Sequence, residues 1–145
     1  MSIFEEIKNK REAAAAAEKA RRNKVRDELH DWLEDVVTTV IGRDEHGVEG
    51  IEAKIKEIAV KHYDSFDLDN GIEVSIEFVT KKPDEEVYYN LSSGRIIIRI
   101  VKDEDFDCDD DAEYAKRYLL DTVKSRLLNA GNTVDYNGAN LVIVG

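Results

Sequence analysis

The chain has 145 residues, of which 42% are apolar and only one is a proline; this suits a single globular domain with a modest core and argues against wholesale disorder. A lone Cys108 excludes an internal disulfide framework, and without a long apolar run no segment is suited to span a membrane, so a reducing cytoplasm is the expected setting. The net charge of −11 is unevenly spread: residues 1–26 hold eight basic and four acidic side chains (+4), and the remainder thirteen against twenty-eight (−15).

Ser2 followed by Glu5 forms a capping box, so a helix is expected almost from the first residue. Between Lys8 and Lys24 its only apolar residues are alanines (Ala13–Ala17 and Ala20), so helix propensity rather than packing supports this part. From Val25 the pattern changes. Val25, Leu29, Trp32, Leu33, Val36, Val37 and Val40 follow helical spacing and predict a buried stripe that ends at Gly42. Two parts follow: a charged, alanine-rich helical arm over residues 1–24 and an α+β domain over residues 25–145. An unbroken helix of about 40 residues spans roughly 60 Å, whereas about 100 residues fold to a radius of gyration near 13 Å. The helix is therefore expected to protrude.

Counting about 100° per residue, Lys8, Arg11, Lys19, Arg22 and Arg26 fall in one sector of about 80° that continues the buried face as a basic stripe. Ile3, Phe4 and Ile7 add an apolar tip about 27 Å before Val25.

A turn through Asp44, His46 and Gly47 leads to a second helix over Val48 to Tyr63, expected to pack antiparallel to the first. The turn at Asp67–Gly71 precedes a strand in which Ile72, Val74, Ile76 and Phe78 alternate with polar residues. Val87–Leu91 and Arg95–Val101 flank Ser92-Ser93-Gly94 as a hairpin, with Ile96, Ile98 and Ile100 facing the core and Arg95 and Arg99 outward. A third helix from about Asp110 to Asn129 presents Ala115, Leu119, Val123 and Leu127 and stops at Gly131. The last hairpin joins Thr133–Tyr136 to Leu141–Val144 through a type I′ turn at Asn137-Gly138. The order α-α-β-β-β-α-β-β predicts an α+β two-layer sandwich, an antiparallel sheet with helices on one face.

Eight of the eleven residues from Asp103 to Glu113 are acidic. Hard cations seek clustered carboxylates, but a calcium loop places glycine sixth and glutamate twelfth; counted from Asp105, those positions hold Asp110 and Lys116. The Asp67–Gly71 cluster fails the same test. Asp103, Glu104, Asp105, Asp107, Asp109, Asp110 and Asp111 read instead as a negative patch that mimics a line of phosphates towards a basic protein surface. Asp109 to Asp111 also suit the start of a helix, with Asp109 or Asp110 as its cap. His30, His46 and His62 are too scattered for a ligand motif, and no phosphate loop, GxSxG or dinucleotide fingerprint is present. No cofactor and no catalytic residue is expected.

The sequence thus predicts a non-enzymatic interaction protein whose acidic body binds a basic partner surface. It would act as an inhibitor or adaptor, for example by occupying a nucleic-acid-binding site. The arm residues Ile3, Phe4, Ile7, Lys8, Arg11, Lys19, Arg22 and Arg26 would serve partner binding or a homo-oligomer. A second reading has the arm binding nucleic-acid phosphates. It ranks lower because Glu5, Glu6, Glu12 and Glu18 interrupt the charge and no aromatic accompanies the basic stretch to stack on bases. A metal-dependent enzyme built on the aspartates ranks third.

Overall fold

The computed structural model describes residues 2–42 and 50–145. The turn at Asp44, His46 and Gly47, and Val48 at the start of the second helix, lie outside the described residues. The chain divides into two compact units, Met1–Trp32 and Leu33–Gly145.

The first unit is helical from Ile3 onward. Helix α1 (Ile3–Val36) opens as the capping box predicts, the Ser2 hydroxyl accepting the Glu5 amide at 3.2 Å. Every residue from Ser2 to Arg21 is exposed; Arg22 and Val25 are half-buried, and Leu29 is buried.

The helix continues into the second unit and ends in a π-helical turn, Val37–Ile41, closed by a 2.9 Å bond from the Gly42 amide to the Val37 carbonyl. Regular α spacing places Val40 beneath Val36. The wider turn places Ile41 there instead, and Ile41 is buried while Val40 is half-exposed. The Thr38 and Thr39 hydroxyls donate to the Glu34 and Asp35 carbonyls at 3.0 and 2.8 Å, bonds that compete with the regular ladder where it widens.

The remaining elements follow the expected order: α2 (Ile51–Lys61), β1 (Ile72–Val79), β2 (Val87–Asn90), β3 (Arg95–Val101), α3 (Asp109–Asn129), β4 (Thr133–Asn137) and β5 (Asn140–Val144). The five strands form one sheet in the order β2-β3-β1-β5-β4. It is mixed rather than antiparallel. β1 and β3 run parallel, from Val74 opposite Ile96 to Val79 opposite Val101, while the other three pairings are antiparallel. The segment from Thr80 to Glu86 carries the chain past one strand position, and the β2–β3 hairpin then folds β3 back into the gap beside β1.

α2 packs on β2 and β3, and α3 on β1, β4 and β5; the two helices also touch each other, so they form one layer on one face. Between sheet and helices lie Val74, Ile76, Ile96, Ile98 and Ile100 from the strands, with Ile51, Ile55, Leu119, Val123 and Leu127 from the helices. The period-2 and period-3.6 patterns of the sequence meet in this layer.

The β4–β5 turn differs from expectation. Asn137 pairs with Asn140, so the two loop residues are Gly138 and Ala139, and positive φ occurs at Gly138 alone. That is the type II′ pattern, which needs a left-handed residue only at the first position, whereas type I′ needs two.

Candidate interaction surfaces

The acidic run follows from how β3 ends. The Lys102 amide still bonds the Val79 carbonyl at 2.8 Å, and the chain then leaves the sheet. Phe106 packs edge-on against Phe78 of β1 with ring centroids 5.0 Å apart, and the Lys102 ammonium lies 4.9 Å from the Phe106 ring centre. This aromatic contact pins the middle of the run to the sheet, leaving the carboxylates of Asp103, Glu104, Asp105, Asp107, Asp109 and Asp110 in solvent. Asp111 differs from the other six: at 6% exposure it lies inside and adds nothing to a solvent-facing surface. A readable signal marks it, because Asp111 is one turn before Ala115 on the stripe Ala115, Leu119, Val123, Leu127.

The helix cap is also one position earlier than expected. Cys108, with extended backbone, is the N-cap, and Asp109–Asp111 form the first turn, where their charge complements the helix dipole without capping it. Oxygen or sulfur atoms of Asp107, Cys108 and Asp111 lie within 4.8 Å of one another, a spacing that a metal ion could bridge. Helix start and burial of the Asp111 side chain already account for this convergence, so it does not by itself define a metal centre. At the other acidic turn the Asp67 carboxylate accepts from the Asp69 amide at 3.1 Å and the Asn70 side chain at 2.8 Å, which is turn chemistry.

On α1, Ile3, Phe4 and Ile7 are exposed, at 74%, 85% and 45%, and so are Lys8, Arg11, Lys19 and Arg26; Arg22 is half-buried. His30 is exposed, His62 stacks on Tyr89 with centroids 5.0 Å apart, and His46 is outside the described residues. Among the described residues, the potential ligands that converge at the acidic run are Asp107, Cys108 and Asp111, with no histidine in the group.

Two surface clefts flank the β1–β2 connection. One of about 460 Å³ sets Lys54, Lys61 and Lys82 against Glu57, Asp84, Glu85 and Glu86, with Lys54 bridging Glu86 at 3.1 Å. The other, about 410 Å³, is bordered by Lys81, Lys82, Tyr88, Arg99 and Glu77. Arg99 lies 3.9 Å above the Tyr88 ring centre, and hydrogen bonding to Tyr88 raises its pKa above the already high arginine value. A raised cation contributes fully below its ordinary pKa and fades only as pH climbs past it, so this pair is indifferent to pH in the neutral range. The stack is readable once the hairpin register pairs Tyr88 with Ile97, because Arg99 is then its diagonal neighbour.

Sequence reasoning missed the ion pair between Glu52 and Arg126, residues 74 apart with no local signal, and the aromatic contacts of His62 and Phe66 with Tyr89. Comparison with protein-family models, curated proteins and solved structures returned no match.

Proposed function

We propose that this chain is a non-enzymatic interaction protein, an inhibitor or adaptor whose acidic body occupies a basic surface of a protein partner. The observation that carries this reading is the segment from Asp103 to Asp110, in which six carboxylates face solvent around Phe106. Clustered surface charge on a body of net −15 raises the encounter rate with a cationic surface and sets its orientation. A surface that recognises rows of phosphates is the natural counterpart, since carboxylates at close spacing offer the same charge to Lys and Arg.

The test starts with capture of partners from cells of the source organism, comparing the intact chain with one carrying Asn at Asp105, Asp107, Asp109 and Asp110. Association of the captured protein is then followed by stopped flow as salt is varied. The reading expects a basic partner, slower association of the Asn form and a flatter salt dependence. Tight binding of duplex or single-stranded nucleic acid through Lys8, Arg11 and Lys19 at physiological salt would replace it with the phosphate-binding reading.

A further inference from the structure

Where β1 ends, the chain must pass over the end of β3 before β2 can pair, and the arch from Thr80 to Glu86 leaves a cleft of about 410 Å³ there. Crevices beyond the carboxyl ends of parallel strands, where strand order changes, are the places at which open sheets bind ligands. The volume falls within the ~300–1,000 Å³ of small-ligand sites. Glu77, Val79, Tyr88 and Arg99 border the cleft from the sheet. They alternate with the buried Ile76, Val87, Ile98 and Ile100, so they stand on the face opposite α2 and α3.

The charges of this cleft suit an anion. Among the described residues Lys81, Lys82 and Arg99 border it, with Glu77 as the only carboxylate, a surplus of 3 − 1 = 2 positive charges. Tyr88 holds Arg99 by a hydrogen bond and by its ring, 3.9 Å from the guanidinium carbon, so an oxyanion meets a cation already fixed in place. Glu77 and Glu85 attract Arg99, yet none of the three cations makes an ion pair among the described residues. Lys82 also borders the neighbouring cleft, where Glu57, Asp84, Glu85 and Glu86 stand against Lys54 and Lys61, and Lys54 is already bound to Glu86. An anion is therefore repelled from that side of Lys82 and drawn to the side of Lys81 and Arg99. A phosphate monoester, with about −1.5 to −2 charge at neutral pH, matches the surplus.

We propose that this cleft binds a small-molecule phosphate monoester, its dianion held between Lys81, Lys82 and Arg99 and its organic part against Val79 and Tyr88. The inference does not rest on the acidic run or the helical arm binding anything.

Titration of the full chain with phenyl phosphate and, in parallel, with the monoanionic diester dimethyl phosphate, followed by amide shifts in NMR, tests it. Phenyl phosphate is expected to bind with a dissociation constant of about 1 mM or tighter, the strength open to so small a ligand. The diester should bind at least about fivefold more weakly for want of the second charge. Arg99→Gln and Lys81→Gln are each expected to weaken phenyl phosphate about tenfold, and Glu77→Gln to tighten it about threefold by removing the opposing charge. Lys61→Gln, in the neighbouring cleft, should leave it unchanged. Lys81 and Glu77 are exposed, so those two variants keep the test open even where Arg99→Gln disturbs the fold, which circular dichroism reports. Affinity should also rise between about pH 5 and pH 7, as the phosphate loses its second proton near about pH 6. No saturable binding up to about 20 mM, equal binding of the diester, or an affinity unmoved by both Lys81→Gln and Glu77→Gln overturns the proposal. So does tighter binding of a nucleic-acid duplex at the same residues, since its phosphates are diesters. The Asn variant of the acidic run should bind phenyl phosphate at least as well as the intact chain. Loss of phosphate binding and loss of basic-partner binding are therefore separate results.

Discussion

Arg126 on α3 grips Glu52 on α2 with two parallel bonds, Nε to Oε2 and Nη2 to Oε1, both 3.0 Å long. The side chains are 11% and 22% exposed, so water screens the pair less than it does the open Glu18–Arg21 pair of α1. Directly beneath sits Gly50, the N-cap of α2. A Cβ there would strike both the Arg126 guanidinium and the Glu52 carboxylate, although its φ of −78° suits any residue. A side chain at this position would have to displace the ends of Arg126 and Glu52, so its cost falls on the ion pair and not on the backbone.

Removing one member of this pair should leave the other partly desolvated. Arg126→Leu is expected to lose about 2–3 kcal/mol and Glu52→Gln about 1–2 kcal/mol. Urea unfolding of both single variants and the double variant measures the coupling, expected at about 1–3 kcal/mol. Strictly additive losses would mean that the two groups act independently.

Two glycines separate conformational strain from crowding. Gly71 and Gly138 both have positive φ, +81° and +62°. Nothing lies within 4 Å of a Cβ at Gly138, whereas at Gly71 it would come within 2.6 Å of Val142 Cγ1 and 2.8 Å of the Ile143 carbonyl oxygen. Gly138→Ala should cost about 1–2 kcal/mol for the left-handed backbone alone. Gly71→Ala should cost about 2–4 kcal/mol, because β5 must also shift. Equal midpoint changes in denaturant would contradict this.

The elements that could be read from sequence are those in which a local period coincides with burial. Ile96, Ile98 and Ile100 alternate inward as predicted, and Ala115, Leu119, Val123 and Leu127 form the buried stripe of α3. Chain order could not reveal that β3 inserts beside β1, since adjacency in a sheet is decided by competition among whole strands. The π turn leaves no mark in the sequence, because Val36, Val37 and Val40 fit a regular period of about 3.6 residues up to Gly42. The acidic run was visible as composition, but the aromatic cluster of His62, Phe66 and Tyr89 was not. Its members come from two separate segments that meet only where β2 packs on α2.

The π turn makes a prediction that a regular helix would reverse. Ile41 is completely buried and Val40 half-exposed. Ile41→Ala is therefore expected to cost about 2–5 kcal/mol through the cavity it leaves. Val40→Ala should cost under about 1 kcal/mol. Thermal unfolding of the two variants distinguishes the geometries, and a larger loss at position 40 would restore the uninterrupted α-helix.

The acidic run should be dispensable for folding except at its buried end. Asn at Asp105, Asp107, Asp109 or Asp110 alters a solvent-facing carboxylate, and each change is expected to stay within about 0.5 kcal/mol. The two in the first turn of α3 lose only a dipole contribution. Asp111→Ala removes a carboxylate that is 6% exposed and should cost about 1–3 kcal/mol, because the interaction that this buried group makes is lost with it. Calorimetry with Ca²⁺, Mg²⁺ and Mn²⁺ adds the chemical half of the test. Binding weaker than about 0.1 mM is expected, in the range of loosely built oxygen sites. Micromolar binding of one cation, lost together in Asp107→Asn and Asp111→Asn but kept in Asp103→Asn, would instead make the convergence at Asp107, Cys108 and Asp111 a metal centre and raise the metal-dependent enzyme from third place.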